Sequence, residues 1–225
     1  MAEILLVHGA WADGSAWLTV IAELHRQRHR VRAVHLPLTS LADDLAVVRD
    51  EIAQFAGPVT LAGHSYGGTV ISGAAKGNPQ VAALAYIAYV PDEGETLLSL
   101  NARYPETPGG EALLFQEDGW SSLSAPHFHS ALAADLPPGT AAAMAAVQRR
   151  THTGCFTAPA GPAAWHDLPS IYAVSGQDRI LHPDLQRWQA DRAGSTVVEL
   201  PASHYSPLSR PAAVADAIAR VATAG

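Results

Sequence analysis

The sequence has little cysteine and no long apolar run, and both absences narrow the possible classes of protein. Cys155 is the only cysteine among 225 residues, so no internal disulfide can form and a reducing compartment is expected. No apolar run reaches the roughly 18 residues that a transmembrane helix needs. The opening residues MAEILLVHGAW contain neither a basic segment nor a signal cleavage site. The sequence therefore predicts a cytoplasmic protein with no membrane partner.

Positive charge is also scarce, and this bears on the kind of partner. The chain has 14 Lys and Arg residues against 21 Asp and Glu residues, a formal net charge of −7. A nucleic-acid-binding protein needs a basic face, so this balance argues against a nucleic-acid partner. Hydrophobic residues make up 48% of the chain and charged residues 16%, which excludes an intrinsically disordered protein. The length fits one domain that buries about 70% of its unfolded surface.

Short apolar segments alternate with amphipathic segments along most of the chain. The apolar segments predict six strands, at 3–7, 31–36, 59–63, 81–90, 170–175 and 196–200. The amphipathic segments predict helices at 15–28, 41–55, 67–77, 183–193 and 211–223. This order indicates an α/β fold with a mostly parallel sheet and helices on both of its faces.

The alternation lapses over 91–168, a segment rich in proline and glycine. The segment is far too long for an ordinary loop. We interpret it as a helical cap inserted over one end of the sheet, within a single domain of residues 1–225. The large apolar residues of the cap are Phe115, Trp120, Phe128, Met144 and Trp165. Most are expected to form the cap's own core, and Trp120 and Phe128 are candidates for substrate contacts.

A G-x-S-x-G pattern lies where the third predicted strand meets the next helix, with the sequence GHSYG at 63–67. A serine on such a sharp turn takes a strained backbone conformation, and the flanking glycines leave room for the turn. The turn exposes the Ser65 hydroxyl at the carboxyl edge of the sheet. The amino end of the following helix then favours developing negative charge at the reacting carbon. Ser65 is therefore the predicted nucleophile.

A nucleophilic serine needs a base, and the base needs an acid that orients it. Asp178 follows the fifth predicted strand and His204 follows the sixth. The carboxyl ends of parallel strands meet at one edge of a sheet, so both side chains are expected near Ser65. Two other acids are possible: Asp92 follows the fourth strand, and Asp184 lies at the start of a predicted helix. We favour Asp178, with Asp92 as the next candidate.

The loop after the first strand reads HGAW at 8–11 and lies at the same sheet edge. In such a site one backbone N–H from this loop and the N–H after the nucleophile form an oxyanion hole. The N–H groups of Ala10 and Tyr66 are therefore assigned to it. His8 is interpreted as a structural residue that braces the loop. Trp11 either lines the substrate pocket or covers the core.

These motifs resemble the α/β-hydrolase superfamily over nearly the whole chain. The resemblance is carried by LLVHGAWADGSAW, LAGHSYGGTVISGAA, AYIAYVPDEGET, SGQDRI and ASHYSPLSRP. The chain resembles in particular the small branch of plant methylesterases, salicylate-binding esterases, hydroxynitrile lyases and bacterial esterases, including pyrethroid hydrolases. This resemblance implies the α/β-hydrolase fold, with Ser65, Asp178 and His204 as catalytic residues. Hydroxynitrile lyases of this branch carry a lysine where this chain has Tyr205, which argues against cyanohydrin cleavage.

The sequence thus predicts a serine hydrolase that cleaves a small to medium apolar or aromatic ester through an acyl-enzyme. No organic cofactor is implied. No metal is implied either, because Phe128 separates His127 from His129 and no cysteine lies nearby. Two alternatives stay open. One is a non-hydrolytic tailoring enzyme, such as a lyase, acyl transferase or cyclase acting on a specialised metabolite. The other is a ligand-binding receptor. The oligomeric state also stays open.

Overall fold

A computed structural model describes residues 1–223, so residues 224 and 225 of the predicted domain lie outside the described part. The described chain forms nine strands: β1 (Glu3–Val7), β2 (Arg30–Ala33), β3 (Val59–His64), β4 (Val81–Ile87), β5 (Leu113–Phe115), β6 (Trp120–Leu123), β7 (Thr151–His152), β8 (Ser170–Ser175) and β9 (Thr196–Leu200). Six of them form one sheet in the order β2-β1-β3-β4-β8-β9, and every neighbouring pair is parallel. The predicted parallel sheet is confirmed.

Helices cover both faces of this sheet. The helices of the described residues are α1 (Leu18–Arg26), α2 (Leu41–Ile52), α3 (Tyr66–Ala75), α4 (Leu97–Asn101), α5 (Ala125–Leu132), α6 (Pro138–Val147), α7 (Gly154–Thr157), α8 (Pro183–Arg192), α9 (Ser206–Ser209) and α10 (Pro211–Ala222). Short 3-10 turns lie at Gly14–Trp17, Pro108–Ala112 and Ala164–His166. The α1 and α10 helices pack together over one face. The α2, α3 and α8 helices cover the other.

Strand β1 shows why both faces need a cover. Ile4 and Leu6 pack into the core under α1 and α10, whereas Leu5 and Val7 pack into the core under α2 and α3. Successive side chains of a strand point to opposite faces, so a strand that is apolar at every position is buried on both sides. Each of these side chains stabilises the fold by about 1.5–3 kcal/mol through burial.

The cap over 91–168 contains a small antiparallel sheet, β5-β6-β7, in addition to helices α4 to α7. The prediction of a helical cap is corrected in this respect. The β6 strand has only four residues and β7 only two, which is too short for a visible alternation in the sequence. A tight turn joins β5 to β6, and Gly119 in it has a φ of +82°, which glycine adopts without strain.

Two strands end earlier than predicted. The β2 strand ends at Ala33 rather than at residue 36, and β4 ends at Ile87 rather than at residue 90. Ala88 has a φ of +70°, which turns the chain away from the ladder, although Val90 beyond it is fully buried. Apolar residues continue past both strand ends because they enter the core. An apolar side chain therefore indicates burial at these positions, but the end of an apolar run does not indicate where the strand ends.

Candidate active site

Ser65 lies at the junction between β3, which ends at His64, and α3, which begins at Tyr66. Its backbone has φ +52° and ψ −126°, a conformation that is strained for any residue with a side chain. Two backbone hydrogen bonds hold it there: its N–H donates to the carbonyl of Ile87 at 2.8 Å, and its carbonyl accepts from the N–H of Gly68 at 2.7 Å. The sharp turn predicted for the G-x-S-x-G pattern is present.

Glycines make this turn possible because the backbones around it are in close contact. A Cβ at Gly63 would lie 2.5 Å from the carbonyl oxygen of Gly67, and a Cβ at Gly67 would lie 2.5 Å from that of Val7. Gly9, in the loop after β1, is also constrained, since a Cβ there would lie 2.9 Å from the Cβ of Ser65. The pattern predicted the first two constraints. The constraint at Gly9 was missed because it arises between separate loops.

Asp178 and His204 form a buried pair at the ends of β8 and β9. The His204 Nδ1–H donates to Oδ2 of Asp178 at 2.7 Å, and the two side chains are 3% and 0% exposed. The same Oδ2 accepts from the side-chain amide of Gln186 at 2.8 Å. Oδ1 accepts from the backbone N–H groups of Ile180 at 2.8 Å and Leu181 at 3.0 Å. Four donors thus fix the carboxylate, and no sequence pattern pointed to Gln186 among them.

His64, next to Ser65, connects the serine turn to the histidine loop. Its Nε2–H donates to the backbone carbonyl of His204 at 2.8 Å, and the two imidazole rings are 4.8 Å apart. Burial, with a contribution from the neighbouring His204, lowers the pKa of His64 to about 3, so this ring is neutral. Among the described residues no hydrogen bond joins the Ser65 hydroxyl directly to His204. The two residues are brought together through His64.

The cap holds the His204 loop from the other side. The backbone carbonyl of Leu132, at the end of α5, accepts from the N–H of Tyr205 at 3.1 Å and from the Ser203 hydroxyl at 3.0 Å. The same hydroxyl also contacts the carboxylate of Asp135. The residues before and after His204 are therefore both anchored to one carbonyl of the cap, which makes this part of the cap a support for the site.

Ser65 lines a cavity of about 290 Å³ between the sheet edge and the cap. Ala10 and Trp11 also line it. The rest of the lining comes from the cap and from the loop after β8: Leu97, Leu98, Asn101, Glu106, Thr107, Gly110, Leu113, Phe115, Phe156, Ile180 and Leu181. Most of these side chains are apolar, so the cavity suits an apolar ligand with a few polar groups.

The other two candidate contact residues lie outside this lining. The guanidinium of Arg150 lies 5.3 Å above the Trp120 ring, which meets the His152 ring edge-on at 5.5 Å in the small sheet. Phe128 is 1% exposed and stacks on Tyr205 at 6.1 Å between ring centroids. Phe128 thus supports the residue that follows His204, whereas the cavity takes its aromatic walls from Trp11, Phe115 and Phe156.

A buried polar cluster lies beneath the serine turn. The Tyr66 hydroxyl donates to Oδ2 of Asp44 at 2.7 Å, and Oδ1 of Asp44 accepts from the N–H of Leu38 at 2.9 Å. The Cys155 thiol lies 3.8 Å from the same carboxylate. Burial raises the pKa of Asp44 and raises that of Cys155 to about 12, so the cysteine stays protonated. As the first residue of α3, Tyr66 has a backbone N–H that the helix cannot bond internally.

His8 braces the loop that carries Ala10. Its Nδ1–H donates to the carbonyl of Gly9 at 2.8 Å, and its Nε2 accepts from the N–H of Leu36 at 2.9 Å. Burial lowers the pKa of His8 to about 4, so the ring is neutral and can serve as donor and acceptor at once. These contacts agree with the structural role predicted for this histidine.

The two alternative acids bind other partners. Asp92 accepts from His166 at 2.9 Å in a pair whose side chains are 30% and 49% exposed. Asp184 pairs with Arg187 at 2.7 Å on the surface of α8. Only the Asp178 carboxylate, among these three, contacts His204.

The strained serine, the buried histidine–aspartate pair and the loop after β1 all follow strands at one edge of the parallel sheet. The family model described as the alpha/beta hydrolase family matches residues 4–217. The chain belongs to the alpha/beta hydrolase family. The fold class that the sequence resemblance implied is thereby confirmed.

This alpha/beta hydrolase is similar to several named esterases and hydrolases. It is 35% identical over 117 residues to a carbendazim hydrolyzing esterase from Nocardioides sp., a match that covers 44% of this chain and 47% of that esterase. It is 28% identical over 246 residues to a pyrethroid hydrolase from Sphingobium wenxiniae, covering 99% and 88% of the two chains. A crystal structure of a pyrethroid hydrolase from Sphingobium faniae superimposes with a TM-score of 0.84 at 25% identity, covering 99% and 98%.

None of the helices within residues 1–223 of this alpha/beta hydrolase combines the length and the apolar character that a membrane span requires. Within the same residues, no three His, Cys, Asp or Glu side chains are grouped so that they could hold a metal ion.

Proposed function

We propose that this protein is a serine carboxylic ester hydrolase, with Ser65 as nucleophile, His204 as general base and Asp178 as the acid that orients the base. The observation that carries the proposal is the strained serine in the lining of an apolar cavity, close to a buried histidine–aspartate pair. The similarity to proteins named as esterase and pyrethroid hydrolase supports the same reaction class.

In the first step the Ser65 oxygen attacks the ester carbonyl carbon while Nε2 of His204 takes the hydroxyl proton. With Nδ1 donating to Asp178, the neutral form of the His204 ring has its lone pair on Nε2, the atom that can act as the base. The backbone N–H groups of Ala10 and Tyr66 stabilise the carbonyl oxygen as it becomes negative, each by about 3–4 kcal/mol.

The tetrahedral intermediate then loses the alcohol. The bond between the carbonyl carbon and the alcohol oxygen breaks, and His204 donates its proton to that oxygen, which leaves an acyl group on Ser65. A water molecule attacks the acyl carbon and gives a proton to His204. This proton returns to the serine oxygen as the carboxylic acid leaves.

The cavity favours a small-molecule ester that is neutral and largely apolar. Its lining is dominated by leucine, isoleucine and aromatic side chains, and Glu106 is the only charged residue in it. A carboxylate-bearing substrate would meet Glu106 at the cavity and a chain of formal charge −7 around it. An alkyl or aryl ester would bury its apolar surface without such repulsion.

Hydrolysis of short p-nitrophenyl esters by the wild type and by Ser65→Ala tests the proposal. We expect turnover by the wild type, loss of turnover in the variant, and labelling of Ser65 by a fluorophosphonate located by mass spectrometry. A wild type that neither turns over esters nor reacts with the fluorophosphonate would contradict the proposal. Labelling without hydrolysis would instead favour a non-hydrolytic reaction at the same serine.

A further inference from the structure

A second cavity, of about 150 Å³, adjoins the substrate cavity at Trp11. It is lined by the loop after β1, by helix α6 and by residues that follow His204, and it is partly open to solvent. Its walls include the apolar side chains of Met144, Val147 and Leu208, with Asp13 and Gln148 among the polar ones. This space adjoins the segments that carry Ala10 and His204.

Trp11 is a lining residue of both cavities. Among the described residues it alone lines both of them. Its indole is held rigidly: Nε1–H donates to the buried Ser121 hydroxyl at 3.0 Å, and the ring packs against Phe156 at 5.2 Å between centroids. The Trp11 backbone is fixed as well, since its N–H donates to the Thr151 hydroxyl at 2.9 Å. Both polar anchors belong to the small sheet of the cap.

We propose that Trp11 is the specificity-determining residue that limits the length of the ester, by closing the substrate cavity against the second cavity. The proposal rests on the ester hydrolase function proposed above. With the indole in place, the long arm of an ester ends at the Trp11 ring. With a smaller side chain there, the arm passes the ring position and enters a space that is already partly apolar.

The expected effect follows from the burial of methylene groups. Each methylene that passes from water into an apolar site improves binding by about fourfold. A variant with a joined cavity should therefore gain in kcat/KM for long esters relative to short ones, by about fourfold for each methylene that enters. The gain should end when the second cavity is filled.

The test measures kcat/KM for two series of esters. One series consists of p-nitrophenyl esters with acyl chains of increasing length, and the other consists of esters with alcohols of increasing length. Trp11→Leu opens the passage, and Trp11→Phe keeps an aromatic wall. Ala16→Phe fills the second cavity, because Ala16 is part of its lining. We expect the preference for long esters to rise in Trp11→Leu, to stay at the wild-type value in Trp11→Phe, and to return to that value in Trp11→Leu/Ala16→Phe. Ala16→Phe alone should leave the wild-type profile unchanged.

Binding measurements separate this proposal from the function on which it rests. In a Ser65→Ala background, calorimetry with the same esters reads the affinity gained per methylene without hydrolysis. A gain in affinity per methylene in the Trp11→Leu background supports the proposed role of Trp11. This holds even if the wild type hydrolyses no ester, a result that would reject only the proposed function. No gain in either series overturns the role of Trp11. A gain in affinity that Ala16→Phe fails to reverse also overturns this role, since the long arm of the ester would then lie outside the second cavity.

Discussion

The Tyr66 hydroxyl donates a hydrogen bond of 2.7 Å to the Asp44 carboxylate, and both side chains are fully buried. Tyr66 follows the predicted nucleophile, and its backbone N–H is a predicted oxyanion donor. The side chain of the same residue is tied to α2 through Asp44. The position of this N–H relative to Ser65 therefore depends on a polar contact on the far side of the serine turn.

Removal of the Tyr66 hydroxyl should destabilise the protein. Tyr66→Phe leaves the buried Asp44 carboxylate without one of its donors, and we expect a loss of about 1–3 kcal/mol in the free energy of unfolding. Tyr86→Phe is the matched control, because the Tyr86 hydroxyl is equally buried but donates to a neutral serine, Ser72, at 3.2 Å. Urea unfolding measures both. Equal losses in the two variants would contradict a special role for the carboxylate.

Two buried histidines should make the protein acid-sensitive. Burial lowers the pKa of His8 to about 4 and that of His64 to about 3, from an ordinary value of 6.5. Between pH 6.5 and pH 4 the unfolded chain binds protons at both positions and the folded chain does not. Stability is therefore present above pH 6.5 and is lost as the pH falls, by about 1.4 kcal/mol per pH unit for each histidine.

Urea unfolding at several pH values between 4 and 7 measures this slope. His8→Gln keeps a donor and an acceptor at the position but cannot titrate, so it should flatten the slope by about 1.4 kcal/mol per pH unit. His25→Gln, at an exposed position of α1, should leave the slope unchanged. If both variants keep the wild-type slope, His8 does not stay neutral in the folded protein.

The choice between two aspartates can be tested by a pair of matched variants. Asp178→Asn should lower kcat by about 10⁴-fold. The N–H groups of Ile180 and Leu181 would hold the amide oxygen, so the NH2 group would face Nδ1 of His204 and favour the wrong tautomer of the ring. Asp92→Asn should change kcat less than twofold, since Asp92 contacts His166 and not His204. Steady-state kinetics with one ester measures kcat for both variants and so decides between the two aspartates. The opposite pattern would assign the acid to Asp92.

Gly9→Ala should disturb the serine turn. The new Cβ would lie 2.9 Å from both the His64 carbonyl oxygen and the Ser65 Cβ, so one of the two loops must move. We expect a loss of about 1–3 kcal/mol in stability and slower labelling of Ser65 by a fluorophosphonate. Gly139→Ala, which meets no atom within 4 Å, is the control and should not reduce either quantity. Labelling of Gly9→Ala at the wild-type rate would show that the site tolerates the added methyl.

Three strands have the bounds that the sequence predicts: β1, β8 and β9. All three strands are short, and a glycine or a proline lies just outside each of them, at residues 8–9, 169 and 201. Ser65 could be predicted for a similar reason, because its strain and its glycines are local. Asp44 could not. It follows Asp43 in an amphipathic helix, and only the packing of Tyr66 and Leu38 makes one carboxylate buried and the other exposed.

Gln186 and Leu132 were missed because their roles depend on the tertiary arrangement. Gln186 contacts Asp178 across a turn, and Leu132 meets the His204 loop from a distance of about 70 positions along the chain. The Leu132 contact uses a backbone carbonyl, which every residue type provides. No side-chain pattern could therefore have pointed to it.

That backbone carbonyl has a consequence for engineering by cap exchange. A cap grafted from a relative would remodel the substrate cavity, but it would also remove the acceptor that Ser203 and Tyr205 use. A chimaera whose crossover points keep α5 through Leu132 retains this acceptor. A chimaera that replaces α5 must supply another carbonyl at the same place, or the histidine loop loses its outer anchor even though every residue of the sheet edge is unchanged.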